Sequence, residues 1–449
     1  MARRITMVLL AVVLAVFLLV PAALAAGPVS AEDLLAVLPQ PPAAGELATR
    51  ADFAAMLMKA AAIPQSPVKG EVAKDVAPDA WYAGAVAALK EKGIMNGYPG
   101  GTLQPERPVT RTEAVVLVAR TFGLFTTISA TETGPLPQGH WAGSLYNWMY
   151  NQGIAPAAAA PEERLTVTEA AAFLSRVFGS DPEALGIVEK NAAAMAKVTA
   201  FRAKTIMDIA MRLRPGTSGT AAEKGHMEMT TTFQAPANAA TTSRIDTVIE
   251  GRPVSLTADL FVVDANVYSG FTDPQTGKMV WQRFPQEFGQ GLTEALTNAR
   301  NQVLPPELKP CLHYQLIGTT KVGDLEVYEI GAYGRVDDPA LFLKALGKGG
   351  EELQKVMPAA DFFPAISYWG RLYIGKEDLL FYGGDLKTVA VFKETMGGQP
   401  NPLEATETVM HFTDYEYGGG ITVVLPPEAA DAPEVTLPPA EEGSAPEQK

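Results

Sequence analysis

The chain reads as a multidomain α + β protein: an N-terminal all-α lobe of repeated helix pairs, then an antiparallel β domain that carries helices of its own. Two observations predict this. Residues 31–180 repeat with a period near sixty, Trp81 returning as Trp141 and Gly93-Ile94 as Gly153-Ile154, each 60 residues later. From residue 183 the apolar positions alternate instead, as in Thr205, Met207, Ile209, Met211 and Leu213, the period of a strand with one buried face. Turn sequences such as Asp273-Pro274-Gln275-Thr276-Gly277 and Lys321-Val322-Gly323-Asp324 separate the alternating runs, which favours hairpins over parallel crossover units.

The segment ahead of the repeats has the layout of a secretory signal. Arg3 and Arg4 precede an uncharged run from Ile5 to Val20, and small residues follow at Ala22, Ala23, Ala25 and Ala26. The run is shorter than the ~20 residues a spanning helix needs. Residues 1–25 are therefore predicted to be a cleaved signal peptide, leaving a secreted chain that does not span the membrane. Two arginines fit the n-region of the general export route and do not decide against the twin-arginine route. The lone Cys311 has no internal partner and reads as a small buried hydrophobe.

Net charge is -14, and residues 426–449 contribute six acidic side chains against one lysine. Proline-rich, acidic and without aromatics, residues 427–449 are predicted to be disordered. The acidic balance disfavours nucleic acid as a partner.

Within the repeat region the units fall at about 31–63, 64–123 and 124–180. Each carries a helix with one apolar face, such as Trp81, Ala85 and Leu89, then a turn and a second, alanine-rich helix. The second helices open with Thr49-Arg50-Ala51-Asp52, Thr110-Arg111-Thr112-Glu113 and Thr166-Val167-Thr168-Glu169. A Thr followed three residues later by an acid is a capping box. That accounts for Thr and Glu but not for Arg, which at the first helical position opposes the helix dipole by ~0.3–1 kcal/mol.

These residues resemble the S-layer homology family. Its pattern is most complete in the second unit, as Trp81, then Gly93-Ile94 with Gly97-Tyr98, Gly101-Thr102 and Pro105, then Thr110-Arg111-Thr112-Glu113. The resemblance implies three repeats packed as a pseudo-threefold helical spindle on the cell surface. It also implies that inter-repeat grooves bind a secondary cell-wall polysaccharide carrying pyruvate ketals. By that resemblance Arg50 pairs with Trp81, Gly97 and Tyr98 in one groove, and Arg111 with Trp141 in a second. Val167 stands where the third groove needs its arginine. The chemistry fits a guanidinium fork on a carboxylate and an indole face under a sugar ring.

In the C-terminal half, residues 183–426 are predicted to form the antiparallel domain. A helix runs from Asp181 to about Phe201, and the strands include Thr205–Leu213, His226–Gln234, Arg244–Glu250, Ser255–Val262, Thr408–Tyr417 and Gly420–Leu425. Two further helices are expected, at Pro285–Val303 and Pro339–Val356. A helix leading into a long antiparallel sheet resembles the lipoprotein-carrier (LolA) and LppX-like half-barrels. That likeness implies a concave apolar face able to hold a lipid or another greasy ligand, with Met207, Met211, Phe261 and Trp281 as lining candidates. The alternative is that these side chains form a filled core, in a structural envelope protein without a ligand.

Catalysis leaves no pattern. His140, His226, His313 and His411 are scattered, no His-x-x-x-His or Cys-x-x-Cys spacing occurs, and no phosphate-cradling glycine motif is present. The expectation is a non-enzymatic binding protein without metal or cofactor.

Overall fold

Three helices begin in the same way because their first residues carry the same local chemistry. α2 (Arg50–Ala60), α4 (Arg111–Thr121) and α6 (Val167–Phe178) follow extended N-cap threonines, Thr49, Thr110 and Thr166, each closing a reciprocal capping box with Asp52, Glu113 or Glu169. The residues just before the caps then bond to one another in a closed cycle. Ala48 N–H donates to the Leu165 carbonyl at 2.9 Å, Leu165 N–H to Val109 at 3.1 Å, and Val109 N–H to Ala48 at 2.9 Å. Between these lie α1 (Ala31–Leu35), α3 (Ala83–Glu91) and α5 (Gly143–Asn151). Phe53, Leu57, Leu89, Val115, Met149 and Leu174 meet in one core.

The structure, a computed structural model, describes residues 29–435 except 66, 69, 124–132, 138, 152, 156–159, 161, 215–223, 250–251, 274–275, 301–307, 309–310, 339–340, 342–343, 345–364 and 397–398. The predicted signal peptide and nearly all of the predicted helix Pro339–Val356 lie outside the described residues. Among the described residues no helix is long and apolar enough to cross a membrane.

α7 (Pro182–Met195) is capped by Asp181 and ends before the predicted Phe201, because Ala200 already belongs to a strand. The strands are β1 (Ala200–Leu213), β2 (Lys224–Gln234), β3 (Asn238–Ile249), β4 (Arg252–Val263), β5 (Asn266–Thr272), β6 (Met279–Arg283), β7 (His313–Val322), β8 (Leu325–Val336), β9 (Ala365–Gly375), β10 (Phe381–Val391), the short pair β11 (Thr395–Met396) and β12 (Gln399–Pro400), and β13 (Leu403–Tyr417). α8 (Gln286–Arg300) joins the two halves of the domain, and α9 (Pro427–Ala430) follows the last long strand. Eleven strands form one open antiparallel sheet in the order β6-β5-β4-β3-β2-β1-β13-β10-β9-β8-β7. It is two meanders joined where β1 pairs with β13.

Register assigns every side chain to one of two faces. Thr205, Met207 and Ile209 of β1 pair with Met229, Met227 and Gly225 of β2 and, on the other side, with Phe412, Met410 and Thr408 of β13. This face is packed by α7, whose Ala184, Ile187, Val188 and Met195 share a core with Met207, Met229, Leu372, Leu386 and Met410. The opposite face presents Tyr333, Trp369, Val389 and Ala405, and these join the helical lobe's own core. Gly123, at φ 77°, lies against this face so closely that a Cβ would stand 2.5 Å from the Ser367 hydroxyl.

Two expectations fail here. Residues 427–435 of the supposedly disordered tail are ordered: Ala429 is fully buried, Arg283 N–H donates to Pro433, and Val435 N–H to Arg283, extending the β6 edge. Backbone pairing needs no apolar composition, so composition misjudged it. Gly420–Leu425 is not a strand; a turn leaves β13 and Val423 N–H donates instead to the Gln234 side chain at 3.0 Å.

Candidate functional site

The side chains singled out in the helical lobe separate into two clusters. The first surrounds Glu113. Its carboxylate takes the Thr110 N–H at 3.1 Å as part of the cap, the Tyr98 hydroxyl at 2.8 Å, and the Arg107 guanidinium. Arg50 lies beneath, 4% exposed. Its Nε donates to the Leu103 carbonyl at 3.0 Å, and a terminal nitrogen stands 3.5 Å from Glu113. Both guanidiniums stand over the Tyr98 ring, Arg50 5.1 Å and Arg107 5.3 Å from its centroid. Burial and the hydrogen bond to Glu113 push the Tyr98 phenol above its ordinary value. Gly97 serves the turn: a Cβ there would stand 2.7 Å from the Thr102 carbonyl oxygen, which accepts the Tyr98 N–H at 2.8 Å.

Of the residues predicted to share a groove with Arg50, Tyr98 lies against it and Gly97 shapes the adjoining turn, while Trp81 belongs to the second cluster. A buried guanidinium committed to a carbonyl, a carboxylate and an aromatic face acts as a clamp between the first and second units. This also explains an arginine at the first helical position: its compensation is local and strong.

Trp81 stands in the second cluster. It is 45% exposed, sits edge-on to Tyr82, and borders a recess of about 380 Å³ between α2 and α3. Met58, Ala55, Ala85, Ile63 and Val37 form the apolar wall, and the exposed Lys59 and Gln65 supply polar groups. Reading the sequence missed Lys59, because a lysine in the last turn of a helix looks like simple dipole compensation. Nearby, burial would raise the Asp75 carboxyl, but the N–H groups of Leu103 and Gln104, at 2.9 and 2.7 Å, hold it below its ordinary value. Asp75 so fixes the Leu103 segment whose carbonyl accepts from Arg50.

The second predicted groove is less engaged. Arg111 reaches Glu163 at 3.5 Å and its buried Nε has no hydrogen-bond partner. Trp141 is 62% exposed, beside His140. Val167, in the third unit, is 2% exposed in the core. Glu169 is held below its ordinary value by the Thr166 backbone N–H and hydroxyl.

The four candidates for a greasy ligand do not share a surface. Met207 pairs with Met227, and through Ile245 with Leu256, whereas Phe261 is one residue out of phase with that row. Trp281, paired with Gly270, joins Phe261 on the opposite face, ring centroids 5.9 Å apart. Met207 is buried under α7 and Met211 is half-buried. Among the described residues no group of three or more His, Cys, Asp or Glu side chains is arranged to hold a metal ion.

Known proteins bear on the first of these regions. Residues 74–115 match the S-layer homology domain family. The matched segment holds Trp81, Gly97, Tyr98 and Arg111, together with Asp75, Arg107 and the Glu113 capping box. A "Cell surface protein" of Thermoanaerobacter kivui is 32% identical over 114 residues, 23% of this chain and 15% of that protein. The "Middle cell wall protein" of Brevibacillus brevis is 26% identical over 121 residues, 26% of this chain and 11% of that one. "Exoglucanase XynX" of Acetivibrio thermocellus is 33% identical over 86 residues, 19% of this chain and 8% of that protein. The chain thus spans at most 15% of the length of these relatives. The S-layer homology segment and the surface and wall proteins it resembles agree with the reading of a secreted, cell-surface chain. Among solved structures, LprF from Mycobacterium bovis superposes with a TM-score of 0.29 at 10% identity, over 55% of this chain and 97% of that one. Lipoprotein LppX from Mycobacterium tuberculosis gives 0.25 at 11% identity, over 54% and 100%. Superposition at this level is too loose to transfer a ligand or a mechanism.

Proposed function

We propose that this chain is held non-covalently on the outside of the cell by a wall polymer, through three S-layer homology repeats. The second repeat is the family match, and the first and third are degenerate copies. The β domain is displayed as a non-catalytic module. The observation that carries the reading is the recess at Trp81. An exposed indole gives a sugar ring a flat apolar face, and Lys59 beside it supplies a cation for an acidic substituent such as a pyruvate ketal. The cycle of backbone bonds joining the three capped helix starts supports three related units.

In sedimentation with purified wall sacculi, Trp81→Ala and Lys59→Ala are each expected to weaken binding about tenfold, the effect of roughly 1.4 kcal/mol. Trp141→Ala tests the contribution of the second groove in the same assay. If both recess variants bind like the parent, the site is elsewhere.

A second reading concerns the face of the sheet under α7. Met207, Met227, Met229, Leu386 and Met410 line it, and Ile209, Met211 and Ile245 remain half-buried at its less covered end. An apolar ligand could extend there by burying methylenes at ~0.8 kcal/mol each. Native mass spectrometry of the full chain extracted from cells tests it: a co-purifying lipid supports this role, and an unliganded mass at full occupancy removes it.

A further inference from the structure

The helical lobe meets the sheet around one histidine. His313, the first residue of β7, is buried between Phe122, Phe178 and Tyr333, with ring centroids 5.8, 5.9 and 5.5 Å away. One ring nitrogen bonds the Phe178 backbone, and Nδ1 has no partner. The contacts beside it all cross the same junction. Tyr333 donates to the Val177 carbonyl at 2.6 Å, Gln315 donates to Arg176, and Tyr314 and Asp181 are joined by a backbone bond of 2.8 Å.

We propose that His313 is an acid-sensitive latch: neutral, it seals the helical lobe against the sheet, and protonation at Nδ1 releases the lobe. A proton on Nδ1 creates a buried donor with nothing to receive it. The three rings offset only part of the lost hydration. The charged and titratable groups on the packed elements do not rescue it. From α6 comes the cation Arg176, beside Tyr333, and from β8 Tyr333 itself and Arg335, the last already paired with Asp337 at 2.7 Å. From the segment before β7 comes Cys311, whose thiol burial pushes up to about 11. Burial lowers the imidazole to about 4, the backbone bond opposing only in part.

The sign follows. The unfolded or undocked ring protonates near 6.5, the docked ring only near 4. The junction is at full strength above about pH 6.5 and weakens as pH falls towards 4.

Hydrogen exchange of the full chain, corrected for intrinsic rates, tests this at the Asp181 and Tyr314 amides. Exchange is expected to rise by up to about tenfold per pH unit below 6.5. His313→Gln, which cannot titrate, is expected to abolish that slope, whereas Tyr333→Phe raises exchange at every pH and keeps it. A slope unchanged in His313→Gln, or absent from the parent, overturns the latch. Should His313→Gln fail to fold, ring-carbon NMR of the parent decides. One of the four histidines must titrate well below the rest, and four ordinary titrations near 6.5 would refute the proposal.

Discussion

Arg50→Ala is expected to lower the stability of the chain by about 3 kcal/mol, seen as a reduced denaturation midpoint of the whole chain. The guanidinium is 4% exposed and holds the Leu103 carbonyl at 3.0 Å, so truncation leaves a buried acceptor unpaired and a void beneath the Tyr98 ring. The loss stays near the lower end for buried ion pairs because Glu113 keeps Arg107. Arg50→Lys restores the charge but not the Nε–H that reaches Leu103, and is expected to recover less than half. Wall binding by Arg50→Ala would then fall through unfolding. Lys59→Ala, on an exposed residue, is expected to alter stability by less than about 0.5 kcal/mol while weakening binding. If Arg50→Ala leaves the midpoint untouched and abolishes sedimentation, the arginine reads the polymer and the clamp assignment is wrong.

What could be read from the sequence was local. Thr49, Thr110 and Thr166 declare their helices because a capping box closes within four residues, and all three boxes form. The alternation of β1 was legible for the same reason, and Met207 is buried as expected. Long-range partners were not legible. Arg50 reaches a carbonyl 53 residues away, and nothing in Thr-Arg-x-Asp distinguishes an internal clamp from a ligand contact. Phe261 and Met207 are both large and apolar, but the face each occupies depends on three successive strand pairings, and a single residue of phase reverses it. The tail was misread because its contacts at Arg283 are made by backbone groups and one ion pair, at 3.0 Å to Glu434. Composition registers side chains, not main-chain pairing.

The same dependence on distant partners fixes how the two parts of the chain are coupled. Trp369 of β9 is 2% exposed and meets Trp148 of α5 edge-on, ring centroids 5.0 Å apart, inside a core that also holds Tyr333, Val389 and the lobe's own Leu89 and Val115. A continuous core makes lobe and sheet one cooperative unit, so the parent is expected to melt in a single calorimetric transition. Trp369→Ala removes the largest side chain the sheet contributes, and is expected to cost about 3–5 kcal/mol and to split the transition in two. Trp369→Phe is expected to restore a single transition at a cost near 1 kcal/mol, since the indole nitrogen has no hydrogen-bond partner to lose. A parent that already melts in two steps, with the second unmoved by Trp369→Ala, would mean that the lobe merely rests on the sheet. The His313 contacts would then have no cooperative unit to release.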